Sequence, residues 1–299
     1  MLGNDLVSVV VVTYNSERTI LETLESIKNQ TYQNLELIVS DDCSKDKTVE
    51  ICTKWIDENK DRFVNTQLLT VEKNTGVCAN GNRGRFAATG KWLKGIAGDD
   101  ILLPNCIKDY MDFVDSHPQA KFLTAFRRIY NETFEEQNFL YEEKGIGDNS
   151  IYDKSADEQL KIGARRLLAQ GAVMFYAKEV FEIVGGFHPE YPFEDYPFQI
   201  DALEHGYKIF LVSKATVGYR VHNSICHENT KLFNIKFKRA TRPFFQKRCF
   251  KYLTKKQVNA ETLIWKLDDF LDRYNLVKKT VFSDYVYQHL LALIRRIYK

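Results

Sequence analysis

Three short polar clusters each stand directly after an apolar run in the first hundred residues: Thr13-Tyr14-Asn15, Asp41-Asp42 and Gly98-Asp99-Asp100. In an open α/β sheet, ligands bind beyond the carboxyl ends of the strands, so clusters in this position are the first candidates for chemistry. Two adjacent carboxylates at a strand end are hard oxygen donors. They suit Mg²⁺ or Mn²⁺, the ions that neutralise a diphosphate and make it a better leaving group, and Asp99-Asp100 fits that role. An Asp-Asp pair after a strand is also ordinary turn chemistry, and Asp41-Asp42 reads equally well that way.

Alternating strands and helices must position these clusters. Val7 to Tyr14 is an almost unbroken β-branched run, the pattern of a strand buried on both faces of a parallel sheet. Ile20, Leu24 and Ile27 then recur at i, i+4, i+7 and predict a helix over about 17–29. A second strand over 35–40, a helix over 46–59, a third strand over 66–71, a helix over 77–89 and a strand over 91–97 continue the alternation. The repeated βαβ unit predicts a twisted α/β sheet. Past Asp100 the alternation ends, with strands expected near 121–127, 171–177 and 208–212. The polar, weakly periodic segment 131–153 reads as a mobile excursion bordering a second substrate.

Helical periodicity returns from Glu228, and the charge changes sign there. Residues 228–299 hold 17 Lys and Arg against 6 Asp and Glu, a balance of +11. Of the chain's 42 and 40, that leaves 25 against 34, or −9, for residues 1–227. Two regions with different partners are therefore expected, 1–227 and 228–299. Phe244, Phe245, Phe250, Tyr252 and Trp265, interleaved with Lys247, Arg248, Lys251, Lys255 and Lys256, read as an interfacial surface for anionic lipid headgroups, with nucleic acid not expected as the partner. A solvated helix face is the plainer alternative. The first residues lack the layout of a signal peptide and no run approaches the length of a membrane span, so the expected location is cytoplasmic, peripheral on the inner face of the cell membrane. The six cysteines form no C-x-x-C pair and read as free thiols.

Residues 7–15, 35–46, 74–84 and 91–100, in this order and spacing, resemble family 2 glycosyltransferases of the GT-A fold, and the likeness extends over roughly 5–225. It implies a Rossmann-like twisted mixed sheet flanked by helices, here with a helical C-terminal extension. It also implies an inverting transfer from a nucleotide-diphosphate sugar, UDP being favoured, of the kind that builds bacterial surface polysaccharides. The acceptor it implies is a saccharide, expected on a polyprenyl diphosphate, and the cofactor is Mn²⁺ or Mg²⁺.

Carried over by resemblance, Thr13, Tyr14 and Asn15 border the nucleoside, and Asp42 accepts from the base with Asp41 beside it. Asp99 lies near ribose or metal, and Asp100 holds the cation. Gly185-Gly186-Phe187 followed by Glu194-Asp195 resembles the family's G-G-F then E-D arrangement, which makes Asp195 the general base and Glu194 its positioner; a helix start is the other reading of that pair. Tyr219-Arg220-Val221-His222 resembles a motif near the diphosphate, with Arg220 on phosphate and His222 on metal.

Two positions depart from the family pattern. Ala97 stands where many relatives are acidic, and Gly81 where relatives often carry arginine, a part that Arg83 would take. Among competing classes, a dinucleotide oxidoreductase fails because no G-x-G-x-x-G follows the first strand. A sugar nucleotidyltransferase lacks its glycine-rich basic loop, and a silent nucleotide-binding scaffold would not need Asp100 and Asp195.

Overall fold

The computed structural model describes residues 4–221 and 231–297, and the chain divides into two compact units, Met1–Val221 and His222–Lys299. The first opens as β1 (Val7–Thr13), α1 (Ile20–Lys28), β2 (Leu35–Asp41), α2 (Thr48–Asn59), β3 (Asn65–Leu69), α3 (Val77–Ala87) and β4 (Trp92–Ala97). It continues with β5 (Ile101–Leu102), α4 (Cys106–Ser116), β6 (Phe122–Asn131), β7 (Phe139–Glu143) and α5 (Ala156–Gly163), then β8 (Phe175–Ala177), α6 (Lys178–Val184), α7 (Asp195–Glu204) and β9 (Ile209–Val221).

These strands form one mixed sheet in the order β3-β2-β1-β4-β8-β6-β9-β5, with β7 paired to β6. The first four are parallel, β8 is antiparallel to β4 and β6, and β9 runs parallel to β6. Val7, Val9, Val10 and Val11 are completely buried, as a strand covered on both faces requires. Burial of each such side chain is worth about 1.5–3 kcal/mol. Helix α3 approaches β1 so closely that a Cβ at Gly84 would lie 2.4 Å from Val10 Cγ1, which explains a glycine inside a helix.

The sheet is the twisted mixed sheet flanked by helices that the sequence predicts, and the early elements fall within a few residues of expectation. The later part differs. The strand expected at 208–212 continues as β9 to Val221, because its outer half pairs with β6 and β5. Segment 131–153 is not a structureless excursion: β7 pairs with Arg127 to Tyr130 of β6, and a 3-10 turn spans Asn149–Asp153. Its weak periodicity reflects an edge strand whose side chains are mostly half-buried or exposed. Residues 171–177 divide into a 3-10 turn, Gly171–Val173, and the three residues of β8.

The second unit comprises α8 (Ile235–Phe244), a π-helical turn over Phe245–Cys249, α9 (Lys255–Arg273) and α10 (Val281–Ile297). Thr254 caps α9 through a capping box with Gln257. Phe233, Val277 and Tyr287 form one small apolar cluster in it, with Leu267, Leu271 and Leu291 against them. Inside it Asp268, fully buried, accepts from Tyr287 Oη at 2.5 Å and Lys238 Nζ at 2.8 Å. Of the aromatic residues expected at an interface, Phe245, Phe250, Tyr252 and Trp265 are half-buried. Phe244 is fully buried, and Phe250 stacks on Trp265 with centroids 5.3 Å apart.

Cys52, Cys78 and Cys106 are buried free thiols that burial pushes up to about 12. Among the described residues no helix is long and apolar enough to cross a membrane.

Candidate active site

The carboxyl ends of β1, β2 and β4 lie side by side in register, Thr13 opposite Asp41 and Val12 opposite Ala97, so the three polar clusters are brought to one edge of the sheet. Thr13 is buried, its carbonyl accepting from the Asp42 amide at 3.0 Å and from Asn80 Nδ2 at 3.2 Å. Among the described residues its hydroxyl has no partner. Asn15 turns the chain with a left-handed φ of 52°, and its amide and side chain bond Ser44 Oγ and the Lys45 amide, each at 2.8 Å. Tyr14 is exposed at 47%.

Asp41 and Asp42 are both buried and both engaged. Asp41 accepts from the Ser44 amide at 2.9 Å and the Ser44 hydroxyl at 2.5 Å. Asp42 Oδ1 accepts from Thr75 Oγ1 at 2.6 Å and Arg83 Nη2 at 3.2 Å, and Oδ2 accepts from the amides of Thr75 at 2.8 Å and Gly76 at 2.7 Å. Burial would raise the Asp42 pKa, yet these hydrogen bonds together hold it below the ordinary carboxylate value. A carboxylate offers about four acceptor sites, and all are used here. The Asp42 carboxylate organises the Thr75-Gly76 turn at the end of β2. Arg83 is held in the same network by Asn80 Oδ1 at 2.8 Å and Thr75 Oγ1 at 2.9 Å.

Past β4 the chain turns so that Asp99 is half-buried and Asp100 buried. Asp100 Oδ1 accepts the Arg220 amide at 2.9 Å. Burial, and then the neighbouring Asp99, push its pKa up to about 8. A buried carboxylate of this kind is stabilised as an anion by a cation. Among the described residues no three His, Cys, Asp or Glu side chains come together. Two carboxylates at one strand end therefore fit a divalent cation completed by substrate phosphates, and do not make a closed protein cage.

Arg220 itself is nearly buried and its guanidinium is committed to the protein. Nε donates to the Asp99 carbonyl at 2.8 Å, the Nη atoms reach the Glu132 carbonyl and the Glu22 carboxylate, and Phe134 stacks 4.3 Å away. The Arg220 side chain thus ties β9 to the Asp99-Asp100 turn. His222 lies outside the described residues.

Asp195 opens α7, with Glu194 at its N-cap, and both are half-buried. Asp195 Oδ1 accepts from the Tyr196 amide at 2.8 Å and Oδ2 from the Gly171 amide at 3.4 Å. Burial first, then the Glu194 charge, push Asp195 up to about 7; burial raises Glu194 as well. The approach to this pair is built by the two glycines. Gly185 ends α6 in the left-handed conformation at φ 85° and Gly186 follows at 86°. Asn82 of α3 then clamps Phe187, donating to its carbonyl at 2.8 Å and accepting its amide at 2.7 Å. A Cβ at Gly81 would meet the Phe187 ring at 3.0 Å, so the residue that departs from the family pattern makes room for this loop.

Three residues were missed by sequence reasoning. Lys94, fully buried on β4, donates to the carbonyls of Gly95 at 2.7 Å and Ala172 at 2.5 Å, and burial lowers its pKa to about 8. It anchors the turn that presents the Gly171 amide to Asp195. Arg85, also buried, donates to Tyr176 Oη at 2.7 Å and lies 4.6 Å over Phe187. Arg127 pairs with Glu143 at 2.6 Å, and Gln170, next to Gly171, reaches the other Glu143 oxygen at 3.2 Å. A lysine inside an otherwise apolar strand was the one available signal.

The chain belongs to glycosyl transferase family 2, whose pattern matches residues 8–173, more than half of its 299 residues. Glycosyltransferase GlyG of Streptococcus pneumoniae is 34% identical over 105 residues, 35% of this chain and 34% of that protein. TarS of Staphylococcus aureus, a poly(ribitol-phosphate) β-N-acetylglucosaminyltransferase, is 30% identical over 182 residues, covering 51% of this chain and 31% of TarS. The matches thus span about a third of the length of these relatives.

In structure, TarS residues 1–349 in complex with UDP-GlcNAc align with a TM-score of 0.61 at 20% identity, covering 88% of this chain and 73% of that one. A mannosyltransferase of Pyrobaculum calidifontis in complex with GDP-Man and Mn²⁺ aligns with a TM-score of 0.56 at 19% identity over 74% and 58%. At these identities the structural likeness is one of fold.

Proposed function

We propose that the chain is an inverting, metal-dependent glycosyltransferase that moves a hexose or N-acetylhexosamine from a UDP-sugar to a hydroxyl of a saccharide acceptor. The observation that carries this reading is Asp195. Its carboxyl is half-buried at a helix start, held by two main-chain amides, with its pKa raised to about 7, close to the value at which a general base works best at neutral pH. In the step, Asp195 takes the proton of the acceptor hydroxyl as that oxygen bonds the anomeric carbon. The carbon–oxygen bond to the diphosphate breaks, and UDP leaves with the electron pair on the face opposite the attack.

Asp99 and Asp100 would hold a divalent cation, which when bound neutralises the charge that develops on the leaving diphosphate. Thr13, Tyr14 and Asn15 would border the nucleoside, with the exposed Tyr14 ring as a stacking surface. Arg83 would close the same rim from α3. UDP-N-acetylglucosamine is the first donor to test, since the relative TarS carries an N-acetylglucosaminyltransferase name and has been crystallised with that donor. An acceptor on a lipid diphosphate, in surface polysaccharide synthesis on the cytoplasmic face of the membrane, suits the basic C-terminal region.

A second reading, a nucleotide-binding protein without transfer, draws on the sparse metal ligands and on Ala97. Calorimetric titration of UDP, GDP, CDP and dTDP with Mn²⁺ and again with chelator separates the two. Selective, metal-dependent UDP binding together with donor turnover supports the transferase, whereas binding without turnover of any donor supports the second reading.

A further inference from the structure

Helix α10 carries an apolar stripe that the described residues of the second unit leave largely exposed. Phe282, Val286, Leu290, Leu293 and Ile297 follow at spacings of four, four, three and four residues, which places all five within one 80° sector of the helix. They are 77%, 38%, 40%, 52% and 66% exposed. The helix meets its own core through a different sector, where Tyr287 is buried and Leu291 packs beside it. A helix this apolar on a face it does not pack has a second environment to bury it in.

The charge around the stripe says what that environment is. Lys278 and Lys279 precede the helix, Arg295 and Arg296 lie in its last turn, and Asp284 is its only acidic residue. Arg295 is paired with Glu261 of α9 at 3.4 Å, and in a symmetric pairing of two copies along α10 the antiparallel arrangement would set Lys278 and Lys279 against Arg296 of the other copy, in regions that each carry +11. Like charges at such a seam oppose it. An anionic bilayer surface meets the same features favourably, with basic residues at headgroup level and Phe282, Leu290, Leu293 and Ile297 entering the acyl boundary.

We propose that α10 is a monotopic membrane helix, lying in the plane of an anionic bilayer with the stripe 282–286–290–293–297 inserted. This places the most exposed part of the interfacial surface on the last helix, beyond the half-buried aromatic residues 245, 250, 252 and 265. The proposal deepens the lipid-linked acceptor reading, and rests on that reading only for its purpose.

The test is co-sedimentation of the full chain with sucrose-loaded vesicles of phosphatidylcholine alone or with about 30% phosphatidylglycerol, at low and high salt. The wild type is compared with the triple variant Phe282→Gln, Leu290→Gln, Leu293→Gln. Because these side chains are exposed, the fold is kept, and nucleotide binding of the triple variant checks that independently. The expected result is binding to the anionic vesicles that weakens with salt and falls by about tenfold or more in the variant. Absence of wild-type binding overturns the proposal, as does equal binding by the variant. Equal binding to both vesicle types overturns the anionic specificity. A wild-type dimer that the variant converts to monomer assigns the stripe to a second copy instead. Loss of nucleotide binding in the wild type would count against the transferase reading and leave the vesicle result standing.

Discussion

The main-chain amide of Arg220 donates to Oδ1 of Asp100 at 2.9 Å, across 120 residues of sequence, while the Arg220 side chain holds the Asp99 carbonyl from the other side. Strand β9 therefore fixes both the carboxylate and the turn that carry the proposed cation. Asp100→Ala should weaken Mn²⁺-supported UDP binding by at least about tenfold and leave metal-free binding unchanged. Titration calorimetry with and without chelator reads both. An equal loss in the two conditions would place Asp100 in the fold alone.

Asp195→Asn keeps the size of the side chain and one of its two amide contacts, since the carboxamide nitrogen cannot accept the other, and removes its basicity. Transfer should fall by about 10³-fold with UDP affinity intact, a loss within the range for a missing general base. A radiolabelled-donor assay beside calorimetry decides it, and turnover near the wild-type level would reject the assignment.

The pH profile follows from the same group. Asp195 acts as carboxylate, and its pKa is raised to about 7 by burial first and by Glu194 second. Below that value it is protonated, so kcat/KM should drop about tenfold per pH unit on the acid side and level off above about 7. Glu194→Gln removes the like charge and should move the midpoint to lower pH without abolishing the shift, since burial remains. A midpoint that stays put would mean that Glu194 does not act on Asp195 electrostatically.

Lys94 reaches Asp195 through one turn, its ammonium on the Ala172 carbonyl and the Gly171 amide on the carboxylate. Lys94→Met fills the same space without the donor. Two hydrogen bonds from a charged donor, about 1.5–3 kcal/mol each, are lost, offset in part because an ammonium without a counter-charge no longer has to be buried, so stability should fall by about 1–3 kcal/mol. The kcat should fall about tenfold with the donor KM unchanged. A shift in KM alone would tie Lys94 to the donor side.

Asp268 binds Tyr287 and Lys238 in the interior of the second unit. Asp268→Ala leaves the Lys238 ammonium without its counter-charge and should cost about 3–5 kcal/mol. Loss of protection in 255–297 by hydrogen exchange, with 7–100 unaffected, is the expected signature. Unchanged protection would show that the small apolar core holds α9 and α10 without the network.

Local pattern was enough for the first hundred residues. The β-branched run of β1, the 3.6-residue period of α1 and the polar residues after each strand are properties of neighbouring residues, and a parallel βαβ sheet leaves those polar ends at one edge whatever follows. The same holds for Gly185 and Gly186, whose left-handed conformations glycine alone adopts without strain. Pairing between distant segments was not legible. β7 is an edge strand with little apolar alternation, and β9 extends because β6 and β5 pair with it, a fact absent from its own residues.

Sequence alone determined the parallel part of the sheet, the family and the residue types at the strand ends. Tertiary structure decided what those residues bond within the protein. Asp42 accepts from Thr75, Gly76 and Arg83, and Arg220 reaches Asp99, Glu132 and Glu22, partners distant in the chain. Lys94, unremarked in its strand, becomes the support of the Asp195 turn. The reason is physical: a hydrogen-bonding group's capacity is set by its type, but whether that capacity is spent on the protein or left for a ligand depends on donors and acceptors that only folding brings within 3 Å or so of it.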